Sequence, residues 1–547
     1  MSGGVWIRGG TLIDGTGAPG RTADLLIQHD RIVRISDPGS DVPDGAEVID
    51  ASGMVVAPGF IDVMSHSVAS LLADGLSVGK VTQGVTTEIM GEGWTPAPAV
   101  AGEAHAFPVH GLPGGDERWI QRAKGWSRFG DWMAAQEEVG AAVNFGSFLG
   151  GTTVRMIGKG HAAGESGPEE LAEMRRVTRE AMEDGAYGVA TALIYPPGSY
   201  ASTDELVAVC EEVGRAGGIY ITHMRSEGAA ILDGFAEALE IAQRSGARLH
   251  LYHLKAAGGP SWPKMAPLIE RVNTERAAGK DIHADMYLYT AGGTGLAASC
   301  PPWASEDNKL KERLRDPETR ATIRAAMLEP DGSWEPLGNL AGPEGVFPVG
   351  LTLPEHAEYL GKSLAEIAQL RRQDWIDTVL DLIASEPGGI GTMYHLMTED
   401  NIQRQLQEPW VMLGSDAAGY DPGEQKGGFT GGHPRALGNF TRLLGHYVRE
   451  LGLLTLEEGV RRMTSLPAAH LRLTDRGELR AGAYADVVIF DPQSISDRAT
   501  YAESNRLSVG VRDVWVNGTQ TLRSGKHTGA LPGKRLYGPG AGRSAAP

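Results

Sequence analysis

Five residues of the kinds that hold divalent metals close short apolar runs in this chain. His66 ends GFIDVMSHS, Glu92 ends VTTEIMGEG, and His223 and His253 end GIYITH and ARLHLYH. Asp416 ends PWVMLGSD. Neutral imidazoles and carboxylates converging on one cation are what metal-assisted hydrolysis needs. Each residue alone says little. A single strand-end histidine is more often a hydrogen-bonded structural residue, and Asp416 after Gly-Ser reads equally as a helix N-cap. His29, His105, His110, His356, His446, His470 and His527 fall under that plainer reading. His250 precedes His253 by an odd step, so on one strand the two face opposite sides. His253 at the strand end is the better ligand, and His250 belongs to the core or the outer face.

The elements that must carry these residues follow from the pattern around them. Apolar runs alternate with amphipathic helical stretches such as PEELAEMRRVTREAMEDG and ILDGFAEALEIAQRSG. About eight such βα units predict a closed (β/α)₈ barrel over 57–477, with its chemistry at the carboxyl ends of the strands. Both chain ends read instead as short β-branched strands: VWIRGGTLID and ADLLIQHDRIVRI at one, ADVVIF and VGVRDVWVNGTQTL at the other. They predict a small β-sandwich domain built from 1–56 and 478–530. Two stretches break the rhythm, a Pro- and Gly-rich segment at 95–125 and an insert at 291–350, and both are candidate lids. Residues 531–547 read as a flexible tail.

Composition bounds the rest. The chain has 547 residues, more than one core usually supports, and a formal net charge of −19. That charge argues against nucleic acid or an anionic membrane as partner. Two cysteines, Cys210 and Cys300, rule out a disulfide framework and a Cys-rich zinc site. No secretory leader pattern or long apolar span is visible, which predicts a soluble cytoplasmic enzyme acting on a small molecule. The oligomeric state stays open, a homo-oligomer included.

A longer set of motifs, in order along nearly the whole chain, carries a family resemblance. VAPGFIDVMSHS, KVTQGVTTEIMGEG, GLPGG, ALIYPPGSYASTDEL, ITHMRSEG, LYHLKAAG, DMYLYTAGGTGL, VMLGSDAAG, HPRALGNFTRLLG and RGELRAGAYADVVIFDP together resemble the D-aminoacylase branch of the amidohydrolases. The resemblance implies hydrolysis of N-acyl-D-amino acids or close N-acyl or N-carbamoyl relatives. It implies that His223 and His253 hold a tight zinc, completed by Glu92 where well-known members use cysteine. It casts Asp416 as the residue that takes a proton from water and passes it to the leaving amine. Lys255 resembles a carboxylate-binding lysine, and Tyr195 and Tyr287 fall at the substrate; for an arbitrary tyrosine, core packing is the plainer reading. Arg225 and Glu227 are read as an ion pair orienting His223, with Arg225 a candidate substrate contact, and Arg435 as a structural or binding residue.

The chain departs from the family at Met64. The pattern Phe-Ile-Asp-Val-His-x-His here reads Phe60, Ile61, Asp62, Val63, Met64, Ser65, His66. A thioether is a poor zinc ligand beside imidazole. The expectation is therefore one firmly bound Zn²⁺ and a second site that is weak or absent, with His66 free to hydrogen-bond water or an oxyanion. Two other readings compete. A cyclic-amide hydrolase would commonly need a bridging lysine, and the run GAYGVATALIYPP has none. A repurposed, ligand-binding barrel is motivated by Met64 alone.

Overall fold

Gly59 is the hinge between two β layers. The strand before it, Val55–Pro58, belongs to a sheet at the chain ends, and the strand after it, Phe60–Ser65, opens a barrel. The computed structural model describes residues 4–73, 75–99, 117–423 and 432–542. His105, His110, the GLPGG motif and most of the 95–125 segment lie outside those residues.

The end sheet has nine strands, five from the amino-terminal region and four from 487–527. The seam is Val55–Pro58 against Val487–Phe490, antiparallel, with Val487 opposite Pro58. Both seam strands are buried throughout, because their residues are apolar on both faces. Ile7, Leu25, Val56, Ile489 and Trp515 share one core there, so the two chain ends are bound into one unit.

The barrel strands are Phe60–Ser65, Val85–Met90, Asn144–Ser147 with Leu149–Gly150, Gly188–Ala192, Ile219–His223, Arg248–Leu251, Ile282–Met286 and Val411–Leu413. Neighbours pair in parallel, with Ala192 level with His223. The third strand breaks at Phe148 so that one half pairs with the second strand and the other with the fourth. A parallel bridge between Ser65 and Ala417 joins the eighth strand's end to the first and closes the ring. The fold class is the expected one, a (β/α)₈ barrel with a small β domain.

The helices between strands form for local reasons. Helix Pro168–Glu183 starts with proline, whose φ is already helical, and buries Met174, Val177, Ala181 and Met182 on one stripe. Helix Thr203–Ala216 is capped by the Ser202 hydroxyl, which accepts from the Glu205 amide at 3.2 Å. It stops at Gly217, which turns left-handed at φ 75°. Such helices clamp the strands from outside at roughly 1.5–3 kcal/mol per fully buried aliphatic side chain.

Two expectations change. The insert is larger than 291–350. The chain leaves the barrel after Met286 and returns at Val411. Between them, strands Ala291–Gly295, Gly391–His395 and Val346–Pro348 form an antiparallel sheet, with Gly391–His395 in the middle. Leu296, Leu314, Ile323, Ile376 and Leu380 give this subdomain its own core. A sheet whose central strand lies beyond residue 350 cannot end there. The segment after 530 is not loose either. The Phe145 amide donates to the Lys534 carbonyl at 3.1 Å, and the amides of Leu536 and Gly538 donate to Phe145 and Gly185. These backbone bonds strap residues 533–538 along the barrel.

Candidate active site

Strand ends deliver the site. Glu92 sits between two glycines with positive φ, Gly91 at 116° and Gly93 at 64°. A Cβ on Gly91 would collide with the Phe148 carbonyl, so only glycine lets the turn fold the carboxylate back over the barrel mouth. His253 and Asp416 themselves have φ of 31° and 49°. Non-glycine residues held there are strained, and such strain gathers at functional sites. Asp416 is held by its own amide, which donates to the Met64 carbonyl at 2.9 Å.

The side chains converge on Glu92. One oxygen, Oε1, lies 3.2 Å from His253 Nε2 and 3.5 Å from His223 Nδ1. The other, Oε2, lies 3.1 Å from His66 Nε2. His66 Nε2 is also 2.8 Å from Asp416 Oδ1. Two overlapping clusters result, Glu92–His223–His253 and His66–Glu92–Asp416, and the potential ligand atoms of each lie within 4.8 Å of one another. Bonds of about 2.0–2.1 Å in tetrahedral geometry put zinc ligands about 3.3 Å apart. The first cluster has that spacing and a zinc-type donor set of two imidazoles and a carboxylate. In the second, Met64 offers nothing: its side chain is buried among Ile61, Val63 and Tyr252.

Electrostatics agree with a cation seat. Burial alone would raise the Glu92 carboxyl, yet His223, His253 and His66 hold it well below the usual carboxylate range. Burial would also raise Asp416, and the Arg435 guanidinium and His66 bring it below its ordinary value. His66, whose burial works the other way, is pushed up to about 9 by Asp416 and Glu92. The protons shared here stand where a divalent ion would compete for the same lone pairs.

The cavity above these residues has a volume of about 390 Å³. Trp94, Ile194, Leu337, Tyr394 and Leu396 line its apolar part. Leu337, Tyr394 and Leu396 come from the inserted subdomain, which therefore walls the site.

Comparison with known proteins fits this geometry. An amidohydrolase-family profile matches residues 345–522. D-aminoacylase of Alcaligenes xylosoxydans xylosoxydans is 35% identical over 97% of this chain and 96% of its own length. The same organism's N-acyl-D-aspartate deacylase is 33% identical over 98% and 95%. The chain belongs to the D-aminoacylase family. A solved D-aminoacylase with a binuclear metal centre superposes with a TM-score of 0.80, at 32% identity, covering 97% of this chain and 99% of that one. N-acyl-D-glutamate deacylase of Bordetella bronchiseptica, solved with zinc and a phosphonate mimic of the tetrahedral intermediate, gives 0.78 at 29% identity, covering 98% and 100%.

Within this D-aminoacylase-family site, most sequence candidates meet. Lys255, Tyr195, Tyr287 and Arg435 line the cavity together with the five metal-type residues. Arg435 Nη1 lies 2.7 Å from Asp416 Oδ2, and its guanidinium covers the Tyr287 ring at 4.5 Å. Tyr195 sets its ring edge-on to His223, 5.6 Å between centroids. Lys255 Nζ is 2.7 Å from Glu227 Oε2 and 2.6 Å from His253 Nδ1.

Arg225 is the exception. It does not pair with Glu227 and does not line this cavity. Its guanidinium grips Glu237 at 2.8 Å and donates to the carbonyls of Ser199 and Ala201. The strand ends at His223, so Arg225 turns outward to the neighbouring helix. Glu227 has the larger role that spacing did not reveal. Its two oxygens lie 3.2 Å from His223 Nε2 and 3.2 Å from His253 Nδ1, behind the nitrogens that face Glu92. Burial opposes its charge, but His223, Lys255 and His253 lower it to about 2. One carboxylate therefore stands within ion-pair distance of both imidazoles on the side away from Glu92.

Proposed function

We propose that this protein is a zinc-dependent N-acyl-D-amino-acid deacylase, which hydrolyses the amide bond to release the acyl carboxylate and the D-amino acid. The observation that carries the reading is the pairing of a Glu92–His223–His253 seat with Asp416 beside it, in a chain of this family. Zinc held by Glu92, His223 and His253 would polarise the amide carbonyl and bring the pKa of water toward about 7. Asp416, kept ionised by Arg435, accepts a proton from the attacking water and returns it to the departing nitrogen. His66 holds Asp416 Oδ1 in place. Lys255 offers its ammonium to the substrate carboxylate, with Glu227 fixing its position. Tyr195 and Tyr287 bound the pocket, whose apolar wall suits an acyl chain or an apolar side chain.

N-acetyl-D-amino acids, their L enantiomers and a hydantoin, each incubated with zinc-loaded protein, test the reading. Free amino acid is expected from D substrates only. Failure to release it from any of them overturns the proposal, and turnover of the hydantoin alone replaces it with the cyclic-amide reading. D-hydantoinases share the fold at 16–18% identity, and that likeness is one of fold only.

The metal count follows from Met64. We propose one firm zinc and a weak second position at His66, Glu92 and Asp416. The solved D-aminoacylase, described as activated by one metal and attenuated by a second, supports a single-metal catalyst. Met64→His should add about one retained metal per chain, read by elemental analysis after gel filtration. Unchanged content overturns this count. No helix among the described residues is long and apolar enough to cross a membrane. The buried, unbridged Cys210 and Cys300 support a cytoplasmic location.

A further inference from the structure

The far end of the barrel carries histidines that the reaction does not use. Asp281 and His283 open the seventh strand, His250 lies on the sixth, and His470 comes from helix Ser465–Leu471. Asp281 and His283 stand at the amino-terminal start of the seventh strand, away from the carboxyl strand ends that form the catalytic mouth.

Their hydrogen bonds set their tautomers. Asp285 is fully buried, and its Oδ2 lies 2.9 Å from His250 Nε2. A carboxylate can only accept, so His250 donates from Nε2 and presents a lone pair at Nδ1. His470 Nε2 lies 2.9 Å from that Nδ1 and must be the donor. The remaining nitrogen of His470, Nδ1, then carries a lone pair. It is buried and has no hydrogen-bond partner among the described residues. Its ring is only 4% exposed and lies 4.5 Å from the ring of His283. His283 Nε2 is 3.3 Å from Asp281 Oδ1. One nitrogen from each of these two histidines and a carboxylate oxygen of Asp281 lie within 4.8 Å of one another.

We propose that Asp281, His283 and His470 form a second cation site, at the amino-terminal face of the barrel, for zinc or a similar borderline divalent transition metal. The 3.3 Å separation equals the edge of a tetrahedral zinc site, about 3.3 Å. The Asp285–His250–His470 chain is what orients a metal-binding imidazole: the ligand histidine donates its other N–H to a fixed acceptor. Neutral imidazoles are the binding form, and burial holds both His283 and His470 below their ordinary values. Asp281 is about half exposed, which leaves a side open for entry and for water as a fourth ligand. The Arg248 guanidinium lies 3.8 Å from the other Asp281 oxygen and opposes a cation, so this site is weaker than the catalytic one.

The site connects to the active centre through Asp285, whose Oδ1 accepts the His253 amide at 3.1 Å. It is nevertheless independent of Glu92. Protein stripped with chelator, reloaded with zinc and gel-filtered should hold about one more zinc than Asp281→Asn or His283→Gln. Both variants should keep the wild-type rate on an N-acyl-D-amino acid to within about twofold, since neither residue touches the substrate cavity. The zinc left in Glu92→Ala should disappear when Asp281→Asn is added. In a zinc-loaded crystal, an anomalous difference peak should lie between the three side chains. Equal zinc in wild type and Asp281→Asn, or no such peak, overturns the proposal. Asp281→Asn changes a half-exposed side chain and decides the matter even where His283→Gln fails to fold.

Discussion

Asp416→Asn should lower kcat by about 10²–10⁴-fold while leaving KM and bound zinc near wild type. The amide has the volume of the carboxylate, and asparagine tolerates the left-handed backbone at φ 49°. Its oxygen can still accept from His66, so the fold around it persists. What it cannot do is take a proton from water. Arg435, 2.7 Å from Asp416 Oδ2, is then left without a charge partner, which adds to the cost. Steady-state kinetics and elemental analysis on the same preparation check both halves. A kcat within about tenfold of wild type would remove Asp416 from the proton path.

Glu92→Ala should abolish retention of the catalytic zinc and, with it, activity. The reason is geometric. Glu92 is the one residue shared by both clusters, its Oε1 serving His223 and His253 and its Oε2 facing His66. Removing a residue that merely orients a ligand costs about 10–100-fold in metal affinity, and losing the ligand itself costs more. Glu92→Cys sharpens the test. A thiolate is a good zinc ligand and restores the His223–His253 seat, but its single sulfur cannot span to His66. We expect recovered zinc and substantial activity in Glu92→Cys and neither in Glu92→Ala. Full zinc affinity at the catalytic seat of Glu92→Ala, compared at equal free zinc, would mean that Glu92 is not a ligand.

Both results bear on why this chain tolerates methionine at position 64. The first barrel strand is buried along its whole length, and Met64 packs into its apolar interior. Nearby, Lys80 fills a fully buried position, 2.6 Å from Asp62 Oδ2 and 2.6 Å from Ser415 Oγ, and it donates to the Ala417 carbonyl at 2.8 Å. This charge network braces the turn that presents Asp416. The turn that carries Asp416 is therefore braced by Lys80 without a histidine at 64.

Much of this was legible in the sequence because it is local. A strand end is marked by where an apolar run stops, so His66, Glu92, His223, His253 and Asp416 could be picked out without knowing which would meet. The βα rhythm and the β-branched ends likewise depend on neighbours a few residues apart. What needed the tertiary structure were contacts between distant segments. Arg225 looks like a partner for Glu227 two residues on, yet it turns away to Glu237, while Glu227 reaches back under His223 and across to His253. The inserted subdomain could not be bounded, because its central strand, Gly391–His395, pairs with segments far before it. The strap after residue 530 has no apolar periodicity and is held by backbone bonds together with scattered side-chain contacts, such as Lys534 to Asp30 at 3.0 Å, to residues far away in the chain. His250 and His470 read singly as structural residues, and only folding places them in one chain from Asp285 toward His283. Sequence by itself determined which residue types stand at strand ends and that about eight βα units build the barrel. Which of them share a proton or could share a cation was decided by barrel closure, since that alone brings Asp416 to 2.8 Å from His66, 350 positions away in the chain.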